Sequence, residues 1–212
     1  MIADLHIHSK YSYDCMLPPE RILKVAAKRG LEAIAVTDHG TIRGGLETQR
    51  LNRNRDLQVI AGCEIHTDIG DVIGLCLNGE IESRNSLEVI REIRSQGGFA
   101  ILPHPCRSHS FSEGMIRHFD AIEVFNSRST ADQNARALLL AKEHSKPFVA
   151  GSDAHFASEI GLVRVVIPAF QPGNLPCVTD ERLISGALSP LYMRDISRMI
   201  RLLRKILERH RR

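Results

Sequence analysis

This 212-residue chain has no Cys-x-x-Cys pair, no apolar run of membrane-spanning length and no glycine-rich nucleotide loop. Its cysteines, Cys15, Cys63, Cys76, Cys106 and Cys177, are odd in number and scattered. That argues against a disulfide framework or a thiolate zinc knot and makes reduced thiols the expectation. Asp4, His6 and His8 interrupt the first apolar stretch, so the amino terminus does not read as a secretory leader, and no later stretch can span a bilayer. A cytoplasmic protein with no membrane partner is expected. The serine-hydrolase elbow Gly-x-Ser-x-Gly, the Walker loop and Gly-x-Gly-x-x-Gly after a strand are all missing. Excess charge is scarce too: 28 Lys and Arg stand against 25 Asp and Glu, a net +3. Much of that excess lies in the terminal stretch, so composition alone does not call for nucleic acid.

What is present is a set of short motifs, each at or just past the end of an apolar run: Asp4-Leu-His6-Ile-His8, Thr37-Asp38-His39, Gly62-Cys63-Glu64, His104-Pro105 and Gly151-Ser152-Asp153-Ala154-His155. In a strand, residues two apart point the same way, so His6 and His8 can face one ion, as can Asp153 and His155. Glu64 and Asp153 follow runs that carry their carboxylates inward, where an unpaired charge costs several kcal/mol and a cation removes the difficulty. Pro105 holds His104 extended, which suits a fixed ligand. There are more ligands here than one tetrahedral zinc can use. The count favours two or three divalent ions close together.

With 43% hydrophobic residues the chain can bury one core, and it shows no internal repeat or low-complexity linker. Strand-length apolar runs alternate with helical periods, the pattern of an α/β fold. Strands are expected over Ile2–His8, Ala33–Thr37, Gln58–Glu64, Asp71–Leu77, Phe99–Pro103, Ala121–Phe125, Pro147–Gly151 and Arg164–Ile167. Helices are expected from Pro18 to Arg29 and over Leu46–Arg53, Ser86–Gln96, Ala131–His144 and Glu181–Ala187. Residues 1–192 then form one catalytic barrel, with its chemistry at the carboxyl ends of the strands. Residues 193–212 add a basic amphipathic helix to the same domain. Its apolar stripe (Ile196, Met199, Ile200, Leu203, Ile206, Leu207) is expected to pack on the barrel or a partner subunit and its arginines to be solvated.

This combination of motifs resembles the PHP (polymerase and histidinol phosphatase) family across roughly residues 2–167. The resemblance implies a distorted (β/α)7 barrel, up to three divalent ions and phosphoesterase activity. Carried over by motif, His6 and His8 bind a first ion with Glu64 and Asp153 bridging, His104 joins Glu64 on a second, and Asp14, His39 and His155 hold a third. Asp4 orients one of the histidines. Many family members have a further histidine after Gly-x-Glu, where this chain has Gly70-Asp71-Val72. Asp71 or His66 is the candidate replacement; the ions implied are manganese, zinc, iron or magnesium, and an oxygen ligand favours manganese or magnesium over zinc.

Such a site implies hydrolysis by attack of metal-bound hydroxide rather than by a side-chain nucleophile, and it needs cations for the remaining phosphate charge. Arg107 is the first candidate and Arg43 the second, with Arg128 third and Glu123 and Asn126 as orienting groups; an arginine fork can take two phosphate oxygens. The substrate expected is a small phosphorylated metabolite or nucleotide. A nuclease or phosphodiesterase, hinted at by the basic helix, and a metal-binding regulatory module are the alternatives.

Overall fold

The computed structural model describes residues 1–107, 112–169, 173–174 and 176–209. The sheet has nine strands. β1 (Ile2–Ile7), β2 (Ala33–His39) and β3 (Gln58–Thr67) run parallel, linked by helices α1 (Pro19–Lys28) and α2 (Arg43–Leu51). β3 turns straight back into β4 (Gly70–Leu75), which leads through α3 (Ser86–Ser95) to β5 (Phe99–Leu102), antiparallel to it. The parallel run resumes with β6 (Ala121–Asn126), α4 (Ala131–Glu143) and β7 (Phe148–Gly151). Strands β1 to β7 are the staves of a nearly closed, distorted barrel.

The closure is uneven, and that places the site. The first residues of β1 pair with β8 (Val163–Val166), which carries β9 (Ile184–Gly186) beyond it. Past Ile7 the chain turns instead to the segment after β7: His8 N donates to Ala154 O at 2.8 Å. Gly151 makes this approach possible, since a Cβ there would lie 2.7 Å from the His6 backbone nitrogen. Buried Asp4 fastens the same seam, accepting from Ser152 N (2.8 Å), Ser152 Oγ (2.6 Å) and Gly161 N (2.7 Å). It meets His6 at the backbone nitrogen (3.5 Å) rather than at the ring. The register of β1 on β2 shifts between Asp4 and Ile7, which breaks the alternation that would have put Asp4 and His6 on one face.

Other expectations also shift. β1 ends before His8, whereas β3 continues past Glu64 to Thr67, because its hairpin with β4 supplies backbone partners for those extra residues. α2 starts three residues early, at Arg43; Gly44 hides that start in the sequence, yet only glycine fits there, since its Cβ would meet Asp38 Oδ2. No helix forms over Glu181–Ala187. A single 3-10 turn at Glu181–Leu183 leads into β9, where Ile184 pairs with Val165. So short a segment gains more from joining the sheet edge than from an isolated helical turn.

The terminal helix α5 (Leu191–Arg209) forms as expected, and positions 210–212 lie outside the described residues. Within the chain most of the apolar stripe does not pack on the barrel, and one arginine of the other face is docked rather than solvated. Met199, Leu203 and Leu207 are 62%, 56% and 60% exposed, while Arg204 donates to the carbonyls of Lys10 (3.1 Å), Ser12 (2.7 Å) and Cys15 (2.8 Å). The barrel mouth offers open carbonyls and charged groups rather than an apolar patch, so a guanidinium fork is the complementary surface. Among the described residues no helix is long and apolar enough to cross a membrane.

Candidate metal centre

The ends of β1, β2, β5 and β7, together with mid-strand Glu64 on β3, converge on one buried cluster. His6 Nε2 and His8 Nε2 lie 3.1 Å apart. Glu64 Oε2 is 3.5 Å from the first and 3.3 Å from the second, and Asp153 Oδ1 is 3.7 and 3.3 Å from them. The two oxygens of Glu64 divide: Oε2 also reaches His39 Nδ1 at 3.2 Å, while Oε1 meets His104 Nε2 at 2.9 Å. Asp14 completes the other side, 3.4 Å from His39 Nε2 and 3.2 Å from His155 Nε2. Three of the groups able to hold an ion are His6–His8–Glu64, His6–His104–Asp153 and His8–His39–His155.

The fit to cations can be tested on the hydrogen bonds. His6 Nδ1 lies 2.9 Å from the Glu123 carboxylate, an acceptor only, so that nitrogen carries the proton. Ser12 Oγ donates to Asp38 at 2.7 Å and so accepts from His8 Nδ1 at 2.9 Å. Both Nε2 atoms are then left as lone pairs facing each other. Only a proton or a metal ion between them resolves that contact. Asp14 Oδ1 and His155 Nε2, both buried, likewise have no hydrogen-bond partner, although neither is far from the other. The residues fit divalent ions.

Electrostatics point the same way. Burial alone raises the pKa of Glu64 and Asp153, yet His39, His6 and Arg107 hold both carboxyls well below the usual range. Burial opposes a charge on His8 as well, but Asp153 and Glu64 push it up to about 9, and Glu123, Asp153 and Glu64 likewise raise His6. Protons therefore take the cation positions when metal is lacking, and the two compete for the same atoms. Backbone strain is concentrated here too: His104 (φ 28), which was expected to be extended ahead of Pro105, and Asp153 (φ 54) adopt left-handed conformations, costing about 1–3 kcal/mol each.

The structure brings His6, His8, Asp14, His39, Glu64, His104, Asp153 and His155 together. Asp71 lies within ion-sharing distance of Glu64 and His104. His66, its neighbour across the hairpin, is 84% exposed and meets Asp71 Oδ1 at 2.9 Å from the outer side. Arg107 Nη1 contacts Asp153 Oδ2 at 2.8 Å and lines the cavity. Arg43 lies on the Tyr11 ring and lines a different hollow with Glu47. Arg128 reaches the cavity wall, but it is 6% exposed and bound to Glu159 at 3.0 and 3.2 Å and to Ser197 at 2.9 Å. It therefore ties α5 to the loop carrying His155.

Supporting residues escaped the sequence reading. Asp38, which read as a turn or helix cap, gathers Ser9 and Ser12 beneath His8, and Glu159 holds the His155 backbone at 2.9 Å. Asp38 stands inside the Thr37-Asp38-His39 motif, where only His39 was taken as a ligand, whereas Glu159 stands in no motif and no local signal marks it. Glu123 was a candidate orienter, and it accepts from the His104 backbone (2.8 Å) as well as facing His6. Glu123→Gln should weaken ion binding about 10–100-fold in a chelator competition while leaving the circular dichroism unchanged.

An uncharacterized protein of Methanocaldococcus jannaschii is 43% identical over 141 residues, covering 60% of this chain and 82% of that protein. In structure the chain is similar to a two-domain protein of Bacteroides vulgatus containing a predicted PHP-like metal-dependent phosphoesterase. That match has 21% identity and a TM-score of 0.64, over 73% of this chain and 52% of the other. It is also similar to an amidohydrolase of Chromobacterium violaceum, with 19% identity and a TM-score of 0.63, over 79% and 92%. The PHP domain model matches residues 4–164, a span that holds every candidate ligand and stops before β9 and α5. Matched from its first strand into its eighth, with those ligands gathered at one mouth of the barrel, the chain belongs to the PHP domain family.

Proposed function

We propose that the protein is a metal-dependent phosphoesterase that hydrolyses a phosphomonoester of a small metabolite or nucleotide. The observation that carries this reading is the divided Glu64 carboxylate, whose two oxygens serve histidines on opposite sides of the cluster. A group so placed could serve two ions, with His6 and His8 on one side and His104 on the other. When bound, a pair of divalent ions supplies an acidified water and a Lewis-acid clamp for phosphoryl oxygens.

The remaining work falls to the chain's own residues. Glu123 and the Asp38–Ser12 pair fix the tautomers of His6 and His8, so that each ring presents a lone pair inward. Arg107 is held through Nη1 by Asp153 and Asn126 and lines the cavity, where a guanidinium can take a phosphate oxygen. Among the described residues no cysteine lines that cavity. Burial pushes the Cys15 thiol up to about 12, and Cys63 is raised as well, which makes neither a ready nucleophile. The guanidinium-rich wall supplied by α5 also suits a phosphodiester, which is the second reading.

The test is phosphate or alcohol release by manganese-loaded protein across phosphomonoesters, a phosphodiester and short oligonucleotides, with a chelator control. Chelator-sensitive turnover of a monoester class is the expected result. Diester-only cleavage would move the assignment to a phosphodiesterase, and no release with ions bound would overturn it.

A further inference from the structure

The cavity over the ligand cluster, about 380 Å³ in volume, has two unlike walls. One is the acidic and imidazole set already described. The other is α5, whose Arg194, Arg198 and Arg201 line the same space, recurring at the spacing that puts them on one helical face. Arg107 is paired with Asp153, Arg128 with Glu159 and Arg198 with Asp195 on its own helix, but no carboxylate lies in ion-pair range of part-buried Arg194 among the described residues. Burial and the guanidiniums of Arg107, Arg198 and Arg128 pull its pKa down, against the smaller opposing pull of Asp195.

Like charges gathered around a partly desolvated pocket are unfavourable unless an anion joins them. One scissile phosphate, held by the ions and Arg107, does not need this second wall. Among the described residues lining the pocket there is no Phe, Tyr or Trp ring to stack on. The Tyr13 ring lies against His39 on one face (4.5 Å between centroids) and under Arg201 on the other (4.7 Å). A ligand here is recognised by charge rather than by ring stacking, and the cavity volume suits a small molecule.

We propose that α5 builds a second anion subsite across from the metal centre, with Arg194 at its heart and Arg198 and Arg201 at its rim. The substrate is then a small metabolite carrying a second phosphate beyond the one removed. The substrate class rests on the phosphoesterase reading above; the subsite itself does not.

The experiment compares α,ω-alkanediol bisphosphates of increasing chain length with the matching alkyl monophosphates in kcat/KM. In parallel, calorimetry of the manganese-loaded protein compares the non-hydrolysable bisphosphonates with monophosphonates. Wild type should favour the doubly charged ligand by at least about tenfold in both readouts, with an optimum chain length that reports the spacing of the subsites. The Arg194→Gln/Arg198→Gln double variant should lose that preference, and the Arg194→Lys/Arg198→Lys variant should keep most of it. A wild-type protein with no preference, or a preference that survives the glutamine pair, would overturn the subsite. Tighter binding of a 5′-phosphorylated dinucleotide than of every bisphosphonate would overturn the small-metabolite assignment. Bisphosphonate preference without cleavage of any phosphoester would instead retain the subsite and remove the enzymatic reading.

Discussion

Glu64→Gln should yield a folded protein that retains fewer than the wild-type number of ions and has lost about a thousandfold in kcat. Glu64 is 2% exposed and lies within 3.5 Å of the rings of His6, His8, His39 and His104. Replacing one oxygen by an amide nitrogen removes a negative charge and puts an N–H donor where a cation or a lone pair must sit. The shape is kept, so the loss can be assigned to charge rather than to packing. Metal stoichiometry by elemental analysis, set beside turnover of the best substrate, checks it. Full metal content and full activity in this variant would remove the shared carboxylate from the scheme.

A second large effect is expected where no chemistry occurs. Gly151 lies where β7 meets β1, and an added methyl group would sit 2.3 Å from His6 Cβ and 2.7 Å from its nitrogen. Both neighbours belong to the backbone region of a buried strand and cannot swing away, so the seam itself must open. That seam joins His6 and His8 to Asp153, and widening it separates ligands that now stand 3.3 to 3.7 Å apart. Gly151→Ala should therefore lower Tm by roughly 6–12 °C, from overpacking of about 3 kcal/mol, and lose metal at the same time. Gly114→Ala, whose new methyl group meets nothing closer than 3.9 Å, is the control. Parallel melting curves and metal counts decide the matter.

The clustering of the candidate ligands was legible in the sequence because each of them follows an apolar run that delivers it to one end of the barrel. Asp14 was the exception, since Tyr13-Asp14-Cys15 reads as an ordinary loop and only the family resemblance singled it out. Strand positions were readable from the same runs, but not their pairing. Nothing in Gln58–Glu64 announces that β3 runs on to Thr67 and folds back, leaving Glu64 in the middle of a strand. Asp38, Ser12 and Glu159 were invisible as a support layer because their partners are distant in sequence, as with Arg128 and Glu159, 31 residues apart. The amphipathic period of α5 was plain, but it did not show that Arg204 would be the side chain docked on the barrel. A periodic pattern shows that a helix has two faces, but the chemistry of the surface it meets decides which one turns inward.

The docking of α5 has a thermodynamic consequence. An element held by apolar burial releases hydrated surface when it leaves, and the heat capacity rises with it. The outer side chains of α5 are wetted while it is docked, and guanidinium forks and a ring contact secure its inner side. Its departure would thus be nearly silent in heat capacity, and the wall of the cavity can loosen without the calorimetric sign by which loosening is usually recognised.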